Sequence, residues 1–137
     1  MNLAVEVSLD MGEAGVTVYS CENEHYDLAI RKAAEGERYE AVLRLNIGGI
    51  KHEQEIAGLP CNEARLCVGC DGGSYYYTVV PKQADGTEAP GIYLGSAQTK
   101  YVSKEVSEGF TGVVLGLYAV GKNSAEFMDF NVTYTEK

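Results

Sequence analysis

The feature that most constrains this chain is a run of two-residue periodicity close to its C-terminus. Between Glu126 and Tyr134, the residues Met128, Phe130, Val132 and Tyr134 fall on one side of an extended backbone. Phe127, Asp129, Asn131 and Thr133 fall on the other. A period of two over that length predicts a half-buried β-strand. Upstream, Val113 to Val120 is almost continuously apolar, as expected of a strand in the middle of a sandwich. Gly112 and Gly116 fall where a facing backbone or large side chain could approach closely. The two segments read as a pair of strands around a polar turn.

The rest of the chain repeats that pattern. Leu3 to Leu9 reads as a strand that turns at Asp10 to Glu13. Ala14 to Ser20 directs Val16 and Val18 inward, and His25 to Arg31 places Tyr26, Leu28 and Ile30 on one face. Arg38 to Asn46 sets Tyr39, Ala41, Leu43 and Leu45 against Arg38, Glu40 and Arg44. Gly48 and Gly49 offer the positive φ angles of a tight hairpin, and Lys51 to Ala57 returns as a polar edge strand. Glu63 to Cys70 and Ser74 to Val80 form a further hairpin around Asp71, Gly72 and Gly73. Short strands at this spacing, joined by glycine-rich turns, predict an all-β antiparallel sandwich. Pro81 to Gly109, which holds Pro90 and Gly91, reads as one long loop, functional or packed on a neighbour.

At 137 residues the chain is read as a single domain, 1–137, with a core of its own. Twenty acidic against eleven basic residues give a net charge of −9, which disfavours nucleic acid and anionic membrane as partners. No apolar run approaches the roughly 18 residues of a membrane span. The start carries no basic region ahead of an apolar one, so no signal peptide is read and a cytoplasmic location is expected.

Four cysteines, Cys21, Cys61, Cys67 and Cys70, invite a zinc reading. Only one pair has CxxC spacing, and on a strand Cys67 and Cys70 face opposite sides. Reduced, mostly buried thiols are the expectation. His25 and His52 stand near no nucleophile that local sequence supports. Glu53 and Glu55 share one face of a polar strand, which a solvated edge explains without a catalytic pair.

Two constellations leave alternatives open. Tyr75, Tyr76 and Tyr77 put two rings on one face and one on the other. They either stack on sugar rings or pack in the core and across strands, and the absence of Trp favours packing. Asp129 is either a ligand of a structural calcium ion or a hydrogen-bonded carboxylate.

Glu13 to Tyr19, Asn23 to Ile30, Leu94 to Val106, Phe110 to Ala119 and Phe127 to Phe130 occur in an order that identifies a family. The chain resembles the C-terminal concanavalin-like β-sandwich (a jelly roll) of glycoside hydrolase family 43 β-xylosidases and α-L-arabinofuranosidases. Met128 stands where that family commonly has an aromatic. The resemblance implies a non-catalytic accessory module that packs on a five-bladed catalytic propeller. It also implies that the loop Gly91 to Gly109, with Tyr93, Lys100, Tyr101 and Lys104, helps shape a pocket for xylo- or arabino-oligosaccharides. The two carboxylates of the family's inverting hydrolysis belong to the propeller. No position here matches their motifs, so no catalytic residue is expected, and no cofactor beyond calcium at Asp129. The family sandwich has strands before the point matching Met1. That predicts a raw edge or apolar patch at Leu3 to Leu9, and a homodimer. The alternative is an independent carbohydrate-binding module that uses a tyrosine-bearing face.

Overall fold

The computed structural model describes residues 2–21, 24–33, 38–70, 74–83, 85–98, 114–120 and 125–133. Among them are ten strands: β1 (Asn2–Ser8), β2 (Glu13–Cys21), β3 (Glu24–Lys32), β4 (Tyr39–Ile47), β5 (Ile50–Leu59), β6 (Glu63–Cys70), β7 (Ser74–Pro81), β8 (Ile92–Gln98), β9 (Val114–Val120) and β10 (Glu126–Thr133). They form two antiparallel five-stranded sheets. Sheet A runs β10-β1-β6-β7-β8 and sheet B runs β5-β4-β3-β2-β9. Among the described residues no helix is long and apolar enough to cross a membrane.

The alternation along each strand builds the core. Sheet A contributes Leu3, Val5 and Val7 from β1, Ala64, Leu66 and Val68 from β6, and Tyr75, Tyr77 and Val79 from β7. Sheet B answers with Ala14, Val16 and Val18, with Tyr26, Leu28 and Ile30, and with Ala41 and Leu43. Each large apolar side chain withdrawn from water in this way contributes about 1.5–3 kcal/mol. The β4–β5 hairpin is closed by Gly48 and Gly49 at φ 62° and 82°, with Ile47 opposite Ile50, as its sequence predicts.

The structure differs from the sequence reading at several places. The stretch read as a long loop contains β8, which pairs with β7 at the edge of sheet A. A bulge at Gly95, φ 144°, interrupts its alternation and hides the strand from a periodicity search. β9, read as central, lies at the edge of sheet B, where Leu117 is 39% exposed. Gly116 meets no crowding there, because an added Cβ would sit 3.7 Å from Thr17. Gly112 lies outside the described residues.

The alternation of β10 also breaks. Ala4 faces Asn131 and Glu6 faces Met128, so a bulge falls at Asp129 and Phe130. Phe127 and Val132 pack on the core, while Met128 and Asn131 share the opposite face. A further bulge, at Gln54, sets Glu53 opposite Arg44 and Glu55 opposite Leu43. Glu53 and Glu55 therefore do not share a face. Finally, β1 is hydrogen-bonded on both sides, to β10 and β6, and presents no raw edge.

Candidate functional site

The three consecutive tyrosines divide as a strand requires. Tyr75 and Tyr77 enter the core, where Tyr75 meets Tyr26 edge-on with ring centroids 6.2 Å apart. Tyr77 is fully buried and its hydroxyl has no hydrogen-bond partner among the described residues. Burial drives that hydroxyl far above the usual phenol range. Tyr76 faces outward and is 40% exposed. Core packing thus accounts for two of the three rings.

The register shows what surrounds Tyr76 on the outer face of sheet A. One rung across the sheet reads Asn2, Gly69, Tyr76, Ser96. The next reads Asn131, Ala4, Cys67, Thr78, Tyr93. Small residues occupy the middle of both rungs, and an open depression lies over them, with Tyr76 and Thr78 on one side and Asn2 and Asn131 on the other. Its floor at Gly69 is tight, since an added Cβ would come within 3.2 Å of Asn2 Oδ1. Cys67 lines the depression, and burial raises its thiol above the usual range, so it stays protonated.

The third rung changes character. Glu6 faces Arg65, Lys82 Nζ lies 3.0 Å from Glu6 Oε1, and Arg65 pairs with Glu88. The Lys82 hydrogen bond holds the Glu6 carboxyl below the usual carboxylate range. Asp129 stands here, exposed, at φ 53° in the β10 bulge and beside Glu6. An aspartate tolerates that left-handed conformation better than most residues. No group of three or more His, Cys, Asp or Glu among the described residues could hold a metal ion.

The outer face of sheet B is a different surface. Arg44 donates to both carboxylate oxygens of Glu13, at 3.0 and 2.6 Å, and lies 3.5 Å from Asp27. Tyr118 donates to Glu13 at 2.7 Å. Arg31 bridges Glu40 at 2.8 Å and Glu53 at 3.1 Å. Asp27, only 5% exposed, accepts from Thr17 at 2.7 Å and meets His25 Nδ1 at 2.8 Å, while His25 Nε2 faces the Asn46 amide at 3.1 Å. Beneath this lattice Gly15, Ala29 and Val42 form a rung of small residues. An added Cβ at Gly15 would lie 2.5 Å from the Ala29 Cα. The charged groups spend their hydrogen bonds on one another, so this face is a structural network that accounts for His25 and Glu53 without catalysis.

Of the residues singled out from sequence, Tyr76 and Tyr93 share the outer face of sheet A, with Tyr93 on a strand and not on a loop. Lys100, Tyr101 and Lys104 lie outside the described residues. Cys67 faces outward and Cys70 packs toward the core, as strand geometry requires. With Cys61 they are half-buried and not buried. Asn2, Asn131 and Thr78 were not singled out, because their place in the groove depends on two non-local strand pairings, β1 with β10 and β1 with β6.

Comparison with known proteins matches this architecture. The family model described as the beta xylosidase C-terminal concanavalin A-like domain covers residues 1–134. The chain is 32% identical over 114 residues to the non-reducing end alpha-L-arabinofuranosidase BoGH43B of Bacteroides ovatus, covering 82% of this chain and 20% of that protein. A solved structure of the Bacteroides ovatus xyloglucan PUL GH43B superposes with a TM-score of 0.76 at 29% identity, over 96% of this chain and 27% of that one. The GH43 protein BlXynB of Bacillus licheniformis shares the fold at TM-score 0.73 and 16% identity, over 94% and 26%. The chain thus spans between a fifth and about a quarter of the length of these relatives. It belongs to the family of concanavalin A-like C-terminal domains of glycoside hydrolase family 43 proteins, and corresponds to that accessory domain and not to their catalytic one.

Proposed function

We propose that this chain serves as the accessory β-sandwich of a family 43 glycosidase acting on xylan- or arabinan-derived oligosaccharides. It packs on the catalytic propeller, stabilises it and helps shape the substrate pocket. The observation that carries this reading is the family match over residues 1–134 in a chain whose alignment covers only 20% of its arabinofuranosidase relative. A module of that kind works beside a larger body.

One flank of the sandwich suits such a body. The edge strands β9 and β10 carry Leu117, Val120, Met128 and Phe130, all exposed. Exposed apolar side chains on strands that stand last in their sheets among the described residues favour burial against a partner. The other flank differs: the β5 edge carries Lys51, Glu53 and Glu55, a charged edge that resists pairing.

The test is capture of a family 43 catalytic domain whose own C-terminal sandwich has been deleted. The expected result is a one-to-one complex in sedimentation, with a dissociation constant of about 10 μM or tighter, weakened by Phe130→Asp. A chain that dimerises through this flank and ignores the catalytic domain would contradict the reading.

A further inference from the structure

We propose that the neutral half of the outer face of sheet A is a saccharide-binding site, in which a sugar ring lies over the small-residue floor against Tyr76. The inference rests on the proposed function only in taking neutral pentose-containing glycans as the material at hand. It needs no docking on a catalytic domain.

The chemistry of the groove narrows its occupant. None of its lining residues carries a formal charge: the groups are the Asn2 and Asn131 amides, the Thr78 hydroxyl, the protonated Cys67 thiol and the Tyr76 ring. A phosphate or carboxylate ligand would find no cation among the described residues that line the groove, and the net charge of −9 opposes polyanions in general. A lipid chain or apolar helix would strip water from the Asn131 amide and the Thr78 hydroxyl without replacing its hydrogen bonds, at about 1–3 kcal/mol for each group buried in that way. A neutral sugar ring satisfies both demands. Its hydroxyls exchange hydrogen bonds with amides and hydroxyls, and its C–H face lies on an aromatic ring.

The floor is shaped for a flat ligand. Gly69 and Ala4 stand at the centre of adjacent rungs, where their own side chains rise no higher than a methyl group, Cys67 completes the base, and the Asn2 side chain leans over the Gly69 end of the floor. Tyr76, 40% exposed, stands directly opposite Gly69, and Tyr93, 58% exposed, ends the next rung beyond Thr78. Two exposed rings on neighbouring rungs give a second sugar unit a place to extend. The remaining polar surfaces offer less. Beyond the groove Glu6 is held by Lys82 and Arg65 by Glu88, and on sheet B the arginines are engaged by Glu13, Glu40 and Glu53.

The experiment is titration of the full 137-residue chain, ¹⁵N-labelled, with xylo-, arabino- and xyloglucan oligosaccharides, followed by amide chemical shifts. The expected result is saturable binding in the millimolar range by at least one of them, with the largest shifts at Gly69, Tyr76, Thr78 and Asn131. Tyr76→Phe should keep the affinity and Tyr76→Ala should lower it about tenfold. If Tyr76→Ala does not fold, Tyr93→Ala, at a more exposed position, should weaken the longer oligosaccharides selectively. No shift with any of the three at about 10 mM, where such sites bind measurably, would overturn the proposal. So would shifts centred on sheet B or the β9–β10 flank, or binding indifferent to both alanine variants. None of these results bears on capture of a catalytic domain, which is measured separately.

Discussion

Tyr77 shows what single residues contribute and what they cost. Its ring fills the centre of the core, yet its hydroxyl is buried without a partner among the described residues. An unsatisfied polar group costs about 1–3 kcal/mol when buried. Tyr77→Phe is therefore expected to leave stability unchanged or raise it by about 1 kcal/mol, read as the urea midpoint; a loss would mean that the hydroxyl is bonded. Arg44 is the opposite case. Removing it leaves Glu13 and the buried Asp27 without their cation, so Arg44→Ala is expected to cost about 3 kcal/mol. The more exposed Glu53→Gln should cost under about 1 kcal/mol. Acid stability follows from Glu6 and Glu53, whose carboxyls are held low by Lys82 and Arg31. Their folded values lie below the ordinary 4.5, so their stabilisation is complete above that pH and is lost as pH falls through the folded values. Thermal unfolding should shift downward on acidification below about pH 4.5, and less steeply in Glu53→Gln. Sequence made the inward residues legible, because alternation alone places Tyr26, Leu28 and Ile30. It could not show that Tyr77 lacks a partner or that Arg44 reaches Glu13, since both depend on strands distant in the chain.

Among the elements, the strands that followed strict alternation were read close to their true limits, and the errors gather at bulges. β8 was missed because Leu94 is followed by Gly95, which takes a positive φ and faces the same interior, where Gln54 and Leu43 approach it. The β10 pattern failed at Asp129, and the two glutamates of β5 were assigned one face because Gln54 inserts between them. A bulge shifts every later side chain to the other face, and nothing in a single sequence marks it unless glycine or aspartate stands there. Gly95→Ala tests this at the element scale. Its φ of 144° strains any L side chain, and the new Cβ would sit 2.5 Å from Gln54 Nε2 and 3.3 Å from Leu43 Cδ2. The variant should lose more than about 1 kcal/mol and show faster amide exchange in β8. Unchanged exchange would mean that the bulge is not what holds β8 on β7.

As a whole molecule, the chain is a sandwich with three unlike surfaces: a self-satisfied ionic lattice on sheet B, a neutral groove beside ion pairs on sheet A, and an apolar flank at β9 and β10. The fold and the family were both legible in the sequence, because turn glycines and strand spacing report the architecture and several motifs fall in the family's order. The surfaces were not, because the groove joins β1 to β6 and β10, the lattice joins β2 to β9, and the local pattern marks none of these pairings. The proposed role of this domain is to contribute to glycoside hydrolysis without performing it. The direct measurement is hydrolysis of aryl β-xylosides and α-L-arabinofuranosides by the chain alone, by a family 43 catalytic domain lacking its sandwich, and by the two together. The account predicts no turnover by the chain alone, and a mixture more active or more heat-resistant than the truncated catalytic domain. Turnover by the purified chain that disappears on changing one of its own carboxylates would contradict it.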